Sequence, residues 1–225
     1  MVALPRRLAA EFLGTLLLVT IVVGSAITAS RLSPTDRGLQ LLENAGATAL
    51  GLGVLIAVLE PISGAHLNPV VSVVDAALGR RPWTDVAAYI PVQLGGAILG
   101  VVLADLMFGR PVVTISGADR LSAGHLLGEA VATAGLIAVI FVLARTGRGR
   151  WTPAAVGAWI ACAYFFTSST SFANPAVTVG RIFTDSSAGI SPASALGFIG
   201  AQLVGAAVGA GIVLLMTRTE RDRAR

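Results

Sequence analysis

Long apolar runs, separated by short clusters of arginine and turn-forming residues, dominate the chain. Six runs, near residues 8–29, 42–60, 83–108, 121–145, 151–170 and 192–216, have about the length a helix needs to cross a bilayer core. Their connections are short and carry turn formers: Ser33-Pro34-Thr35-Asp36, Gly109-Arg110-Pro111, Gly147 to Gly149, and Ser186 to Pro192. Two further apolar pieces, Val70 to Leu78 and Ala176 to Phe183, are too short to span, and each follows an Asn-Pro pair. Proline costs nothing in the first turn of a helix, where its missing N–H has no partner to lose, and asparagine just before it is a good cap. The pattern predicts six spanning helices and two half-helices, opening at Asn68-Pro69-Val70 and Asn174-Pro175-Ala176.

The pattern also repeats. Glu11 early in the first run is echoed by Glu129 early in the fourth, and Gln93-Leu94-Gly95-Gly96-Ala97 by Gln202-Leu203-Val204-Gly205-Ala206. The chain reads as one transmembrane domain over 1–225, with repeats at approximately 8–110 and 121–216. Each repeat holds three spans and one half-helix. Three is odd, so the halves enter the membrane in opposite orientations, and the broken helices meet near the midplane. Both half-helix N-termini then face one central spot, each with unpaired backbone N–H groups and about half a positive charge. Such a place repels cations and protons, while the Asn68 and Asn174 amides offer hydrogen bonds to a passing neutral oxygen.

Composition agrees with an all-α membrane protein surrounded by lipid. Only 12% of the 225 residues are charged, half of the roughly 25% that covers a soluble domain. Mean hydropathy is +0.81, and the 26 glycines suit close helix packing in lipid. All 16 basic residues are arginine. The net charge of +4 does not point to nucleic acid, because the arginines sit between the apolar runs, where they set topology. With both termini cytoplasmic, eleven arginines (6, 7, 80, 81, 145, 148, 150, 218, 221, 223 and 225) lie inside and five (31, 37, 110, 120 and 181) outside. Met1 to Arg7 and the run behind it resemble a signal peptide. The uncharged stretch from Phe12 to Ser30 is long enough to span, however, and lacks a small-residue cleavage site, so it reads as the first helix. The single cysteine, Cys162, excludes an internal disulfide. No metal-ligand spacing, phosphate loop or nucleophile elbow is present, so the sequence assigns no catalytic residue, metal or cofactor.

Ser63-Gly64-Ala65-His66-Leu67-Asn68-Pro69 and Phe172-Ala173-Asn174-Pro175-Ala176 resemble the two signature loops of aquaporins and aquaglyceroporins. Ala10-Glu11-Phe12-Leu13-Gly14-Thr15 resembles that family's first-helix signature, so the resemblance covers nearly the whole chain. It implies six transmembrane helices plus two re-entrant half-helices, a homotetramer with one pore per subunit, and multi-pass insertion in a bacterial plasma membrane. The sequence departs from the family at Val70, where alanine is usual, and at Val177, where an arginine nearly always stands. Thr178 replaces the aspartate of glycerol facilitators, and the family pattern puts the other constriction positions at Thr48, Cys162 and Ser171. A filter of these four side chains is uncharged and wide, and suits polyols, urea and undissociated metalloid hydroxides besides water. Val177 followed by Gly180-Arg181 resembles bacterial channels associated with arsenic resistance, which implies arsenous acid or methylated arsenicals as cargo.

Several residues carry two readings. Arg181 lies one turn after Val177, about 6 Å further out; it either places a cation in the outer vestibule or anchors a loop at the membrane surface. The resemblance implies that Glu11 and Glu129 accept hydrogen bonds from the signature loops; a proton relay is the other reading. His66 either gates the cytoplasmic half by titrating or belongs to its loop's hydrogen-bond network. Cys162, if it faces the pore, confers sensitivity to mercurials. Glu60 falls near the cytoplasmic mouth without a role, and His125 reads as peripheral. The candidate functions are a passive channel for neutral solutes, a poorly conducting structural relative, and a proton-coupled transporter.

Overall fold

The computed structural model describes residues 2–217; Met1 and 218–225, including the last four arginines of the topology count, lie outside the described residues. Eight α-helices follow one another: α1 (Leu4–Leu32), α2 (Arg37–Ser63), α3 (Pro69–Ala77), α4 (Trp83–Met107), α5 (Ala123–Arg145), α6 (Thr152–Phe166), α7 (Pro175–Gly180) and α8 (Pro192–Met216). The described residues contain no strand. Helix α7 continues into a 3₁₀ turn, Arg181–Phe183. The long helices start on side-chain caps where the sequence supplies them: Asp36 accepts from the Leu39 N–H, Ser122 from His125 and Ser191 from Ser194.

Helices α1, α2, α4, α5 and α8 are long and apolar enough to cross a membrane. Helix α6 is shorter than the run read over 151–170: it has 15 residues, about 22 Å at the α-helical rise. The short 3₁₀ turn Gly149–Trp151 precedes it. Its far end is cut by the polar run that follows. The Thr167 hydroxyl donates to the Ala163 carbonyl, and Thr170 and Ser171 adopt left-handed φ values of 61° and 52°. Residues 167–173 therefore turn back into the protein as a loop.

The two halves pack by the same rule. Gly96 and Gly100 of α4 lie against the Phe12 and Leu16 backbone of α1; Gly205 and Gly209 of α8 lie against the Ala130 and Ala134 carbonyls of α5. A Cβ at any of the four would collide with backbone, which cannot move aside. In lipid there is no hydrophobic force between helices, so this close approach supplies the contact energy. Chain direction gives the molecule two faces. The near face holds the N-terminus, the α3–α4 turn and the α5–α6 turn. The far face holds the α1–α2 and α4–α5 connections and the turn after α7, while the loops before α3 and α7 dip inward from the near and far faces.

A central passage between two half-helices

Each half-helix is capped by its own asparagine. The Asn68 carboxamide oxygen accepts from the Val70 N–H at 3.1 Å; that of Asn174 accepts from Ala176 at 2.9 Å and Val177 at 3.3 Å. The two caps also cross over. Asn68 Nδ2 donates to the Ala173 carbonyl at 2.9 Å, and Asn174 Nδ2 donates to the Leu67 carbonyl at 2.8 Å. Each carboxamide is thus fixed at both ends, and each NH2 keeps one hydrogen without a protein partner. Both asparagines line a narrow passage between the half-helices.

Two fully buried carboxylates hold the loops that lead into the caps. Glu11 accepts from the Ser63 hydroxyl, the His66 and Leu67 N–H groups and Gln93 Nε2, at 2.6 to 2.9 Å. Glu129 accepts from the Phe172 and Ala173 N–H groups and Gln202 Nε2, again at 2.6 to 2.9 Å. Both glutamines also donate inward, Gln93 to Ser72 Oγ and Gln202 to Thr178 Oγ1, and those hydroxyls reach the Asn68 and Asn174 carbonyls. Ala65, Leu67, Ser171 and Ala173 have φ between 46° and 52°. Such left-handed residues cost about 1–3 kcal/mol each and persist only where their surroundings over-determine them; the carboxylates do so here. A planar trans peptide points its C=O opposite its N–H. The Ala65, His66, Ser171 and Phe172 carbonyls therefore turn away from the glutamates, and all four residues line the passage.

Of the proposed filter positions, Thr48, Ser171 and Val177 line the passage, and Arg181 stands with them. Val70 and Ala176 are buried behind the caps, as are Pro69 and Pro175. Cys162 requires a correction. It lies exposed on α6, while Val156, Ile160 and Tyr164 face the passage. These three follow one another at four-residue steps along one face. Cys162 is two residues, about 200° of helix rotation, from Tyr164 and so looks the other way. The Tyr164 hydroxyl donates to Thr48 at 3.3 Å, joining α6 to α2 across the passage wall.

At the near mouth the charges pair with one another. Asp75, at the end of α3, accepts from Arg80 Nε at 3.0 Å and Arg81 Nε at 3.1 Å, and lies 3.3 Å from His66 Nε2. Arg81 also reaches Asp85 and Tyr89, and with Tyr89 donates to the Ser63 carbonyl. Arg7 completes the group by pairing with Asp85. His66 Nδ1 is 2.9 Å from Ser72 Oγ, so its ring is tied to the hydroxyl that touches Asn68. Glu60 lines this mouth beside them.

The far mouth is built differently. Arg181, only 5% exposed, donates through Nε to the Ala188 carbonyl and lays its guanidinium 3.4 Å from the Phe172 ring centroid. Arg120 lies 5.6 Å from the same centroid and donates to the Gly189 and Ser187 carbonyls. Burial draws the Arg120 guanidinium below its ordinary pKa, although an arginine stays charged at neutral pH. The exposed Arg37 lines the same vestibule. None of the three has a carboxylate partner among the described residues.

Tyr164, Phe172, Arg120 and Arg37 were not singled out from the sequence. The first could have been found by extending the passage face of α6 in helical steps. The arginines lie on separate loops, which only the fold brings together. His125, read as peripheral, donates from Nδ1 to the Arg120 carbonyl at 2.7 Å and packs edge-on against Phe198.

Comparison with known proteins places the chain. The aquaglyceroporin AqpS of Rhizobium meliloti (strain 1021) is 48% identical over 203 residues, covering 90% of this chain and 86% of that protein. Aquaporin NIP6-1 of Arabidopsis thaliana is 32% identical over 234 residues, covering 99% and 72%. The X-ray structure of the aquaglyceroporin from Plasmodium falciparum superposes with a TM-score of 0.72 over 96% of this chain and 97% of that one; at 21% identity it speaks for the fold. The profile of the major intrinsic proteins matches residues 1–172. With its crossed asparagine caps and carboxylate-held loops, the chain belongs to the major intrinsic protein family.

Proposed function

We propose that the protein is a passive channel for small uncharged solutes: polyols, urea, undissociated metalloid hydroxides such as arsenous acid, and water. The observation that carries this reading is the pair of asparagine amides. Asn68 is immobilised by two hydrogen bonds and Asn174 by three, and each keeps one N–H for a solute oxygen. A passing hydroxyl exchanges water for a fixed donor at little reorganisation cost. A cation would meet two helix N-termini and gain nothing.

Selectivity then rests on Thr48, Ser171 and Val177, with Tyr164 in the place first given to Cys162. Arg181 supplies the positive charge one turn outside Val177. A constriction without a charge at the valine level passes larger neutral molecules, and the displaced arginine keeps cations out. The relative named an aquaglyceroporin and a glycerol uptake facilitator protein of Streptococcus pneumoniae, 32% identical over 151 residues, favour polyol-sized cargo. The channel works as a homotetramer in a bacterial plasma membrane, with the near face and both termini in the cytoplasm, as the arginine distribution favours.

A proton-coupled mechanism fits less well. Both oxygens of Glu11 and of Glu129 accept loop hydrogen bonds, and neither residue lines the passage. Protonating either would break the loop it holds. Light scattering of proteoliposomes under gradients of glycerol, urea and arsenous acid tests the reading. Fast, unsaturable flux without a pH gradient is expected, and Val177→Arg should lower flux of the larger solutes more than that of water. Strict dependence on a proton gradient, or no flux of any solute, would overturn it.

A further inference from the structure

The far vestibule holds three guanidinium groups and no carboxylate. Arg37, Arg120 and Arg181 line it together with the neutral amides Gln40 and Asn44. The acidic residues of this face are engaged elsewhere or stand outside the lining. Asp105 is paired with Arg110 and bonded by Thr184. Asp119 accepts from Leu121 and Ser194, Asp36 caps α2 and Glu43 accepts from Ser33. Asp185 only offers its backbone carbonyl to Arg110. Glu129 lies deeper in, accepts from the Phe172 and Ala173 amides and Gln202, and stands outside the lining, although its charge acts on Arg120 and Arg181 from below.

Arg181 is the pivotal group. Its side chain is more than nine-tenths buried, its Nε is used on the Ala188 carbonyl, and its two terminal nitrogens have no protein acceptor. It lines both the passage and the vestibule, so those nitrogens face the space between. Carbonyl partners and a phenyl ring orient a guanidinium without cancelling its charge. Arg120 is held against the same ring by two carbonyls, and Arg37 has no hydrogen-bond or ionic partner among the described residues. A buried planar fork with free donors, flanked by two more arginines, matches an oxyanion that offers two oxygens to the fork and turns its others to the flanking arginines.

We propose that the far vestibule is a docking site for a small free oxyanion of the phosphate or sulfate class. Arg181 binds it from the floor and Arg37 and Arg120 from the wall. The docked anion sits over the passage and slows neutral solutes arriving from that face. Docking stands apart from the channel reading; only the slowing rests on it.

The test measures binding first. Full-length protein in a phosphate-free non-ionic detergent, where no lipid headgroup competes, is titrated with radiolabelled inorganic phosphate at constant ionic strength. Saturable binding is expected, displaced by sulfate but not by equal chloride, which cannot engage the fork. Arg181→Gln should weaken it by at least about tenfold, the lower end of a charge-assisted contact, and Arg37→Ala by roughly threefold to tenfold, the range of an ordinary net hydrogen bond from an exposed side chain. Arg37 is exposed and makes no internal bond, so its variant folds even where Arg181→Gln does not. Absence of saturable binding, or binding unchanged by Arg37→Ala in folded protein, overturns the site. Glycerol influx into proteoliposomes is then followed with phosphate on the far side. Slowing that Arg37→Ala relieves is expected. Binding without slowing refutes the plug, and absence of any glycerol flux refutes the channel reading while the binding result stands.

Discussion

The two mouths of the passage use the same residue type to opposite ends. At the near mouth Arg80 and Arg81 meet Asp75, and Arg7 and Arg81 meet Asp85. Each charge is matched within a few ångströms, so little field reaches the passage. At the far mouth Arg120 and Arg181 meet backbone carbonyls and the Phe172 ring. These partners satisfy N–H groups and leave the charge. An arginine is structural or electrostatic according to whether its acceptor is ionised, and the two mouths of the passage put it to these two different uses. Between the mouths the structure is nearly symmetric, since Glu11 and Glu129, Gln93 and Gln202, and Ser72 and Thr178 repeat one hydrogen-bond chain.

The largest expected effect tests that symmetric centre. Glu11→Gln and Glu129→Gln each remove a buried charge that accepts three or four hydrogen bonds and turn an NH2 toward backbone donors. Each should cost about 3–5 kcal/mol, the usual penalty for breaking a buried charged network. If the asymmetry is confined to the mouths, thermal unfolding in detergent should find the two variants within about 1 kcal/mol of each other, the scatter of a single hydrogen bond. A loss confined to one half would show that the centre is asymmetric too.

Next comes the far arginine. Arg181→Met keeps a long side chain on Phe172 and removes the charge. At about 6 Å and an effective dielectric of 20, a unit charge opposes a cation by roughly 3 kcal/mol, near a hundredfold in occupancy. Sodium conductance in planar bilayers should therefore rise strongly in the variant while glycerol flux is retained. A variant as cation-tight as the parent would assign exclusion to the half-helix dipoles alone.

The near mouth should respond with stability rather than selectivity. Asp75→Asn leaves Arg80 and Arg81 with one partner fewer and is expected to cost about 2 kcal/mol, less than a fully buried pair because the mouth is open to solvent. The melting temperature should fall by roughly 4–8 °C, given 2–4 °C per kcal/mol for a chain of this size. The same change frees positive charge at the near mouth. If pairing is what separates the mouths, the variant should exclude cations from the near side more strongly than the parent does.

What the sequence disclosed follows the range of the interactions involved. The Asn-Pro caps, the spans and the repeat are local or periodic features, and the helices open within about a residue of Pro69 and Pro175. The pairing of Glu11 with the first loop and Glu129 with the second needed the family resemblance, because 52 to 56 and 43 to 44 residues separate the partners. The far vestibule was illegible as a unit. Arg37, Arg120 and Arg181 belong to three segments, and nothing in their spacing announces that they share one cavity. Arg181 alone was placed from the sequence, by its one-turn offset from Val177. The end of α6 was misjudged because Thr167 to Ser171 are compatible with a helix in lipid until their hydroxyls bond back to the chain.

The smallest expected effect is the sharpest check on the passage wall. Counting along the family pattern put Cys162 in the filter, where a mercurial would block flux. The helix puts it on the exposed side of α6, about half a turn from Tyr164. A helix face is decided by rotation, so an offset of two residues is the worst one for a lining position. Mercurial treatment should label Cys162 fully and change glycerol flux by less than about twofold, since a group on the outer face adds no barrier of even 0.4 kcal/mol in the passage. The reciprocal variant, Cys162→Ser with Tyr164→Cys, should become mercury-sensitive. Tyr164 bridges to Thr48, so its loss also removes the tie between α2 and α6, and the unlabelled double variant should pass larger solutes faster. Block of the parent protein at Cys162 would mean that α6 is rotated from the position described, and Tyr164 would then have to leave the wall.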